Sequence, residues 1–281
     1  MATLAFLDPL TRWWWRLVGR EIDITELSWL DAPSSRTSMV DDDAWMAQWA
    51  ERLHGSVERR SPGAGLIPHM SELAGPGLDP ADIAEEIRDF YEHTSAWSME
   101  AWAEWSPLFW PGGELISRLF GKRVQQLALP MRALDVARGM DSTVSVIRDA
   151  DGVQQTAGWI RRLRSNGDKV FSGAYRVGRL PASDRASVHV TFPLENGSVQ
   201  VYLRPRVEAD GSLWLESLPG SFGGDGAYMV VRFGRRHFAT RVPVHETFHL
   251  YLDESRVLRT DHVLKLWSAT VVRLHYKLTP A

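Results

Sequence analysis

Cysteine is absent from this 281-residue chain, which excludes a disulfide framework, a thiol nucleophile and any zinc site built on cysteine. Long hydrophobic runs are absent too, since no stretch approaches the roughly 18 apolar residues of a membrane span. Neither sign of charge dominates. The formal net charge is only −3, which gives no electrostatic footprint for nucleic acid. No basic segment precedes a continuous apolar one near the first residue, so a secretory signal is not expected. These absences lead to the expectation of a cytoplasmic protein with no nucleic-acid partner and no transmembrane span. They leave the oligomeric state open.

Hydrophobic residues make up 44% and charged residues 24% of the chain, ordinary values for a globular protein with a substantial core. Five Asx-Gly pairs punctuate the second half: Asp151-Gly152, Asn166-Gly167, Asn196-Gly197, Asp210-Gly211 and Asp225-Gly226. Gly and Asn/Asp reach positive φ at least cost, so such pairs between alternating apolar runs signal tight hairpins. Their spacing is near-regular, with one marker missing in the middle. Val188, Val190, Phe192 and Leu194 alternate with polar neighbours, as do Val199, Val201 and Leu203, and later Val272, Leu274, Tyr276 and Leu278. The pattern predicts a meander of about nine or ten strands over residues 140–281, enough to close an antiparallel up-and-down barrel.

Residues 1–139 read as a helical, tryptophan-rich region packed on that barrel, giving an α+β fold. Ten of the 13 tryptophans fall there. Apolar spacing predicts helices over 4–20, 44–54, 79–91, 98–106 and 114–128. Asp41 to Asp43 favour the positive end of the second helix, and Asp79-Pro80 marks the start of the third. Trp13-Trp14-Trp15 beside Arg12 and Arg16 suits either a helix packed on the barrel or one touching a membrane interface.

His245-Glu246-Thr247-Phe248-His249 spells H-E-x-x-H, a zinc-protease signature that requires a helix. The local pattern argues for a strand instead. Val242, Val244, Phe248, Leu250 and Leu252 alternate with polar or aromatic neighbours, and Glu246 is the one break on the aliphatic side. On a strand, His245 and Glu246 point to opposite faces, so at most one serves a given pocket. No metal or other cofactor is therefore expected. Gly220 to Gly226 match neither phosphate-loop fingerprint and precede a strand-like run, which predicts a plain loop.

The less aliphatic strand faces carry His189, Tyr202, Arg204, Trp214, Tyr228, His245, His249 and His275. Aromatic and histidine groups of this kind line partly polar ligand cavities, although the same face could pack on the helices or lie outside. The expectation is a barrel that binds a hydrophobic small molecule such as a lipid, isoprenoid or polyketide-like compound. Trp97, Trp102, Trp105 and Trp110 would close its mouth, and Tyr202, Arg204, His245 and His249 would touch the ligand's polar end. The alternatives are a cofactor-independent cyclase or isomerase in the same pocket, with His245 or Glu246 exchanging protons, and a non-catalytic interaction module.

Asp89-Phe90-Tyr91-Glu92 and the runs 97–111, 125–130, 138–142, 242–253 and 258–267 together resemble a family of actinobacterial proteins of no established activity. That resemblance carries no catalytic residue across. The strand count and hairpin order also resemble a calycin or lipocalin-type barrel. A lipocalin G-x-W signature is missing, because Trp159 follows Gly158 directly.

Overall fold

The computed structural model describes residues 7–35, 44–107, 139–167 and 169–281. Among these, the α-helices are α1 (Leu7–Val18), α2 (Ala44–Arg52) and α3 (Glu85–Glu92). The strands are β1 (Arg20–Ile22), β2 (Ser56–Glu58), β3 (Trp97–Trp105), β4 (Met140–Arg148), β5 (Gln154–Leu163), β6 (Lys169–Arg179), β7 (Ala186–Leu194), β8 (Gly197–Val207), β9 (Leu213–Glu216), β10 (Gly226–Phe233), β11 (Arg236–Val242), β12 (Val244–Leu252), β13 (Leu258–Leu266) and β14 (Ala269–Pro280).

All 14 strands join one sheet in the order β2-β4-β5-β6-β7-β8-β9-β12-β13-β14-β3. The sheet forks at β8. Residues 197–202 of that strand pair with β10, and residues 204–207 pair with β9. Beyond β10 lie β11 and then β1.

This architecture corrects the expected helical half packed on a closed lipocalin-like barrel. The sheet is open, ending at β2 and β3. Short β2 occupies the edge of β4 at residues 146–148, and β3 comes near β4 without a ladder between them. The first half also contributes strands, because β1, β2 and β3 all enter the sheet. Residues 98–106, expected as helix, form most of β3. Met99, Trp102 and Trp105 sit at helical spacing, but Trp97, Met99, Ala101, Ala103 and Trp105 share the inward face of the strand. Pairing along the whole of β14 decides the matter. The expected helix over 114–128, the acids Asp41 to Asp43 and Trp110 lie outside the described residues.

Four of the five Asx-Gly pairs mark hairpins. Gly152, Gly167 and Gly211 have φ of 79°, 76° and 81°, and Asn196 takes the left-handed value at 55°. The fifth pair differs. Asp225 is buried beneath the loop before β10, where it accepts from Ser187 Oγ at 2.6 Å and Arg204 Nε at 3.1 Å. The unmarked turn is the β6–β7 connection.

The sheet curls so that its apolar face covers itself. Val144, Trp159, Val190 and Val201 from one side share a core with Met99, Leu250, Leu258 and Leu274 from the other. The outer face is covered in two places. Trp45, Met46 and Trp49 of α2 pack on Ile147, Ile160 and Ala174. Residues 22–30 cover Tyr202, Tyr228 and Ala239. Helix α1 buries less, leaving Trp13, Trp14 and Leu17 exposed.

Gly55 joins α2 to β2 against the β4–β5 hairpin, where an added Cβ would lie 1.8 Å from the Arg148 carbonyl oxygen. That clash is with backbone, which cannot swing aside as a side chain can. Gly55→Ala is expected to lower stability by about 1–3 kcal/mol, read as a reduced urea midpoint with an unchanged slope.

Candidate functional site

Where the inward faces of β5–β7 and β12–β14 meet, they enclose a cavity of about 80 Å³. Phe90, Trp159, Phe171, Phe192, Phe248 and Leu250 supply apolar wall, and four polar or charged side chains other than tyrosine intrude: Arg161, Glu246, Thr260 and His262. Strand alternation puts each of them there. Arg161 follows Trp159 on the inward face of β5, Glu246 precedes Phe248 on β12, and His262 lies between Thr260 and Leu264 on β13.

Arg161 is 7% exposed. Its guanidinium carbon lies 4.2 Å from the Phe171 ring centroid and 4.5 Å from that of Trp159. Nη1 contacts the Met99 sulfur at 3.2 Å. Nε has no hydrogen-bond partner, and among the described residues no carboxylate pairs with the group. Cation–π contact offsets part of the desolvation of a guanidinium but does not saturate its donors.

Glu246 and His262 are 8% and 7% exposed. Oε2 of the acid lies 3.3 Å from Nε2 of the imidazole. The angle falls outside hydrogen-bond geometry, and among the described residues neither imidazole nitrogen has a hydrogen-bond partner. The distance makes the two groups electrostatic neighbours without making them a satisfied pair. Each such buried orphan costs about 1–3 kcal/mol. Stacking on Phe248 at 3.8 Å fixes the His262 ring. Ser217 Oγ accepts from the Glu246 backbone N–H at 2.6 Å and holds that residue in place.

Two tyrosines complete the polar end. Burial pushes the hydroxyls of Tyr175 and Tyr276 up, with Arg161 acting in the opposite direction and Glu246 reinforcing the rise. Both therefore stay protonated and able to donate. Leu66 and Tyr175 separate the cavity from a polar groove of about 740 Å³, and they are the two lining residues common to both. The strap carrying Leu66 is tied to α3 and the turn after it. Ile67 N–H donates to the Tyr91 carbonyl at 3.2 Å, and Leu66 N–H to Thr94 Oγ1 at 3.4 Å.

Of the residues expected to contact ligand, none of those described lines this cavity. Trp97 is buried, donating to Asp89 Oδ2 at 2.9 Å. Trp105 is partly buried against the core, and Trp102 is 45% exposed on the outer face. Arg204 pairs with Asp225, and His245 Nδ1 lies 3.1 Å from the Ser217 carbonyl oxygen. The structure does bring Trp102 and His249 into one outer row. Arg206, Trp214, His249, Asp261, His275 and Trp102 are successive cross-strand partners on six strands. The less aliphatic face is thus the outer one. Strand β12 (Val244–Leu252) also withdraws the helix that an H-E-x-x-H zinc site needs. Of the cavity's polar groups, Glu246 alone had a visible signal, as the break in the aliphatic side of its strand.

Tyr202 lies in the second core cluster, stacked on His189 at 4.0 Å and donating to the Trp29 carbonyl. His189 Nδ1 accepts from Arg176 Nε at 2.9 Å, so its proton sits on Nε2, facing Gln200 Oε1 at 3.1 Å. Burial first, and Arg176 second, hold this imidazole well below its ordinary value of 6.5, while the Gln200 bond pulls upward. The unfolded chain therefore binds this proton more readily, and stability falls as pH drops below about 6.5. Urea midpoints are expected to decline from pH 7 to pH 5, with a shallower decline in His189→Gln. Compared with protein-family models, curated proteins and solved structures, the chain matches none of them.

Proposed function

We propose that this protein binds a compact hydrophobic molecule bearing an acidic group, held in the inner cavity with the acid against Arg161. The observation that carries this reading is the buried guanidinium in an aromatic cage, with an unpartnered Nε and, among the described residues, no carboxylate in ion-pair contact with it. An anionic oxygen pair would satisfy the fork of donors and the charge together. Aromatic walls supply the rest of the affinity. At about 80 Å³ the cavity is well below the roughly 300–1,000 Å³ of sites for drug-sized ligands. It therefore favours a single ring or short branched chain. A full-length lipid, isoprenoid or polyketide enters only if Leu66 and Tyr175 open the cavity into the groove.

The direct test is calorimetric titration with 3-phenylpropionate and with its alcohol, 3-phenylpropanol. The acid is expected to bind more tightly, and Arg161→Met to weaken it about 30-fold, roughly 2 kcal/mol. The same variant is expected to fold at least as stably as the parent, because it removes a buried charge. Equal binding of acid and alcohol, or an Arg161→Met protein that binds the acid normally, would sink the reading.

Peripheral membrane contact is a second reading, supported by Trp13, Trp14 and Leu17 exposed on α1. Exposed tryptophans beside arginine suit the headgroup boundary of a bilayer. Among the described residues no helix is long and apolar enough to cross a membrane, a statement that does not concern strands. Cosedimentation with anionic vesicles is expected, with loss in the Trp13→Ser, Trp14→Ser double variant. Equal sedimentation of parent and variant removes α1 as the contact.

A further inference from the structure

We propose that the cavity is catalytic, with Glu246 as the base that moves a proton on a carbon beside a carbonyl of the bound acid. This inference rests on the binding reading above, which supplies the anchoring of the acid at Arg161. Glu246 is the one carboxylate among the residues lining the cavity, it is nearly inaccessible to water, and Ser217 clamps its backbone. A merely structural glutamate–histidine pair would be closed by a well-aligned hydrogen bond. Here His262 lies 3.3 Å away with both ring nitrogens unpartnered, so the pair is incomplete without a third group. The setting is dry and apolar, where preorganised donors stabilise developing charge most. Those donors are present. Tyr175 and Tyr276 line the same cavity, and burial keeps both hydroxyls protonated.

The substrate class is an enolisable keto acid carrying an apolar group. A Glu246 oxygen takes the proton from the carbon adjacent to the carbonyl. The C–H electron pair becomes the carbon–carbon π bond, and the carbonyl π pair moves onto oxygen, which accepts a hydrogen bond from tyrosine. Return of the proton from Glu246 to carbon restores the ketone, and its delivery to oxygen gives the enol. No oxidant, reductant or second substrate is consumed. His262 is a positioning residue, its Nε2 lying 3.3 Å from Glu246 Oε2 as an electrostatic neighbour.

Phenylpyruvate is a suitable probe, because it carries a carboxylate for Arg161, a ring for the aromatic walls and an exchangeable carbon-bound hydrogen. Loss of its benzylic proton signal in deuterium oxide would be followed by NMR, beside calorimetric binding of the same compound. The parent protein is expected to accelerate exchange over buffer. Glu246→Gln is expected to lower that rate about 100-fold or more with the dissociation constant nearly unchanged. Glu246→Asp, which keeps the charge but retracts it, should recover part of the rate. His262→Asn should slow exchange without weakening binding, and circular dichroism would verify that each variant is folded. Phenylpyruvate that binds but exchanges no faster than in buffer overturns catalysis and leaves the binding reading standing. Phenylpyruvate that does not bind overturns both.

Discussion

An apolar sheet face has to be covered, and in this protein the sheet covers its own. Helices α2 and α3 are too short to shield 14 strands, so hydrophobic burial is met by curling one side of the sheet over the other. The large core cluster accordingly draws on every strand from β3 to β14. The helices are left to cover local patches. Curling also explains why an internal void exists. Aromatic side chains from two facing layers meet edge to face, as in Trp159 with Phe171 at 5.5 Å and Phe171 with Phe192 at 5.5 Å. Such contacts are favourable but fill space less completely than interdigitated aliphatic chains.

Placing charge inside that void works against the force that forms it. Arg161, Glu246 and His262 sit on inward positions where neighbours are Trp, Phe and Leu, and three of their nitrogens lack a hydrogen bond. Folding proceeds despite a local cost of several kcal/mol, on the order of what three unsatisfied groups would exact. The same residue types could be accommodated on the outer face without that cost. The row from Arg206 to Trp102 shows how the sheet treats histidine and aspartate when solvent is near. Asp261 pairs with His275 Nδ1 at 2.7 Å, and His249 stacks on Trp214 at 4.1 Å. The Asp261–His275 pair outside is closed, whereas Arg161 Nε and both His262 nitrogens inside have no partner among the described residues.

The strands and most hairpins were legible because they depend on local rules: alternation with a period of two, and Asx-Gly where φ turns positive. The start of α3 was misplaced: Asp79 accepts from the Ala81 N–H at 2.9 Å and caps a separate 3-10 turn at Pro80–Asp82, whereas α3 begins at Glu85 behind Ala84, which makes no side-chain cap. β3 was not legible. Its small inward residues Ala101 and Ala103 mute the alternation, and only β14 reveals the strand. Closure of the sheet was equally out of reach, because it turns on a three-residue β2 that occupies another strand's edge. At the site, Glu246 stood out against aliphatic neighbours. His262 did not, since Thr260 and Asp261 make both faces of β13 look polar. Arg161 sits beside Arg162 and Arg164 and reads as solvated charge. Which face turns inward is a long-range property that no single strand encodes.

The shared boundary at Leu66 and Tyr175 has a kinetic consequence. If a ligand bound as proposed were to leave through those two side chains, its residence time would follow how often the strap opens. Gly65 packs so tightly on α3 that an added Cβ would lie 2.3 Å from the Tyr91 carbonyl oxygen. Opening the strap therefore means loosening the end of that helix. Exit by that route would be tied to a local unfolding step, and chemically different ligands would share one dissociation rate.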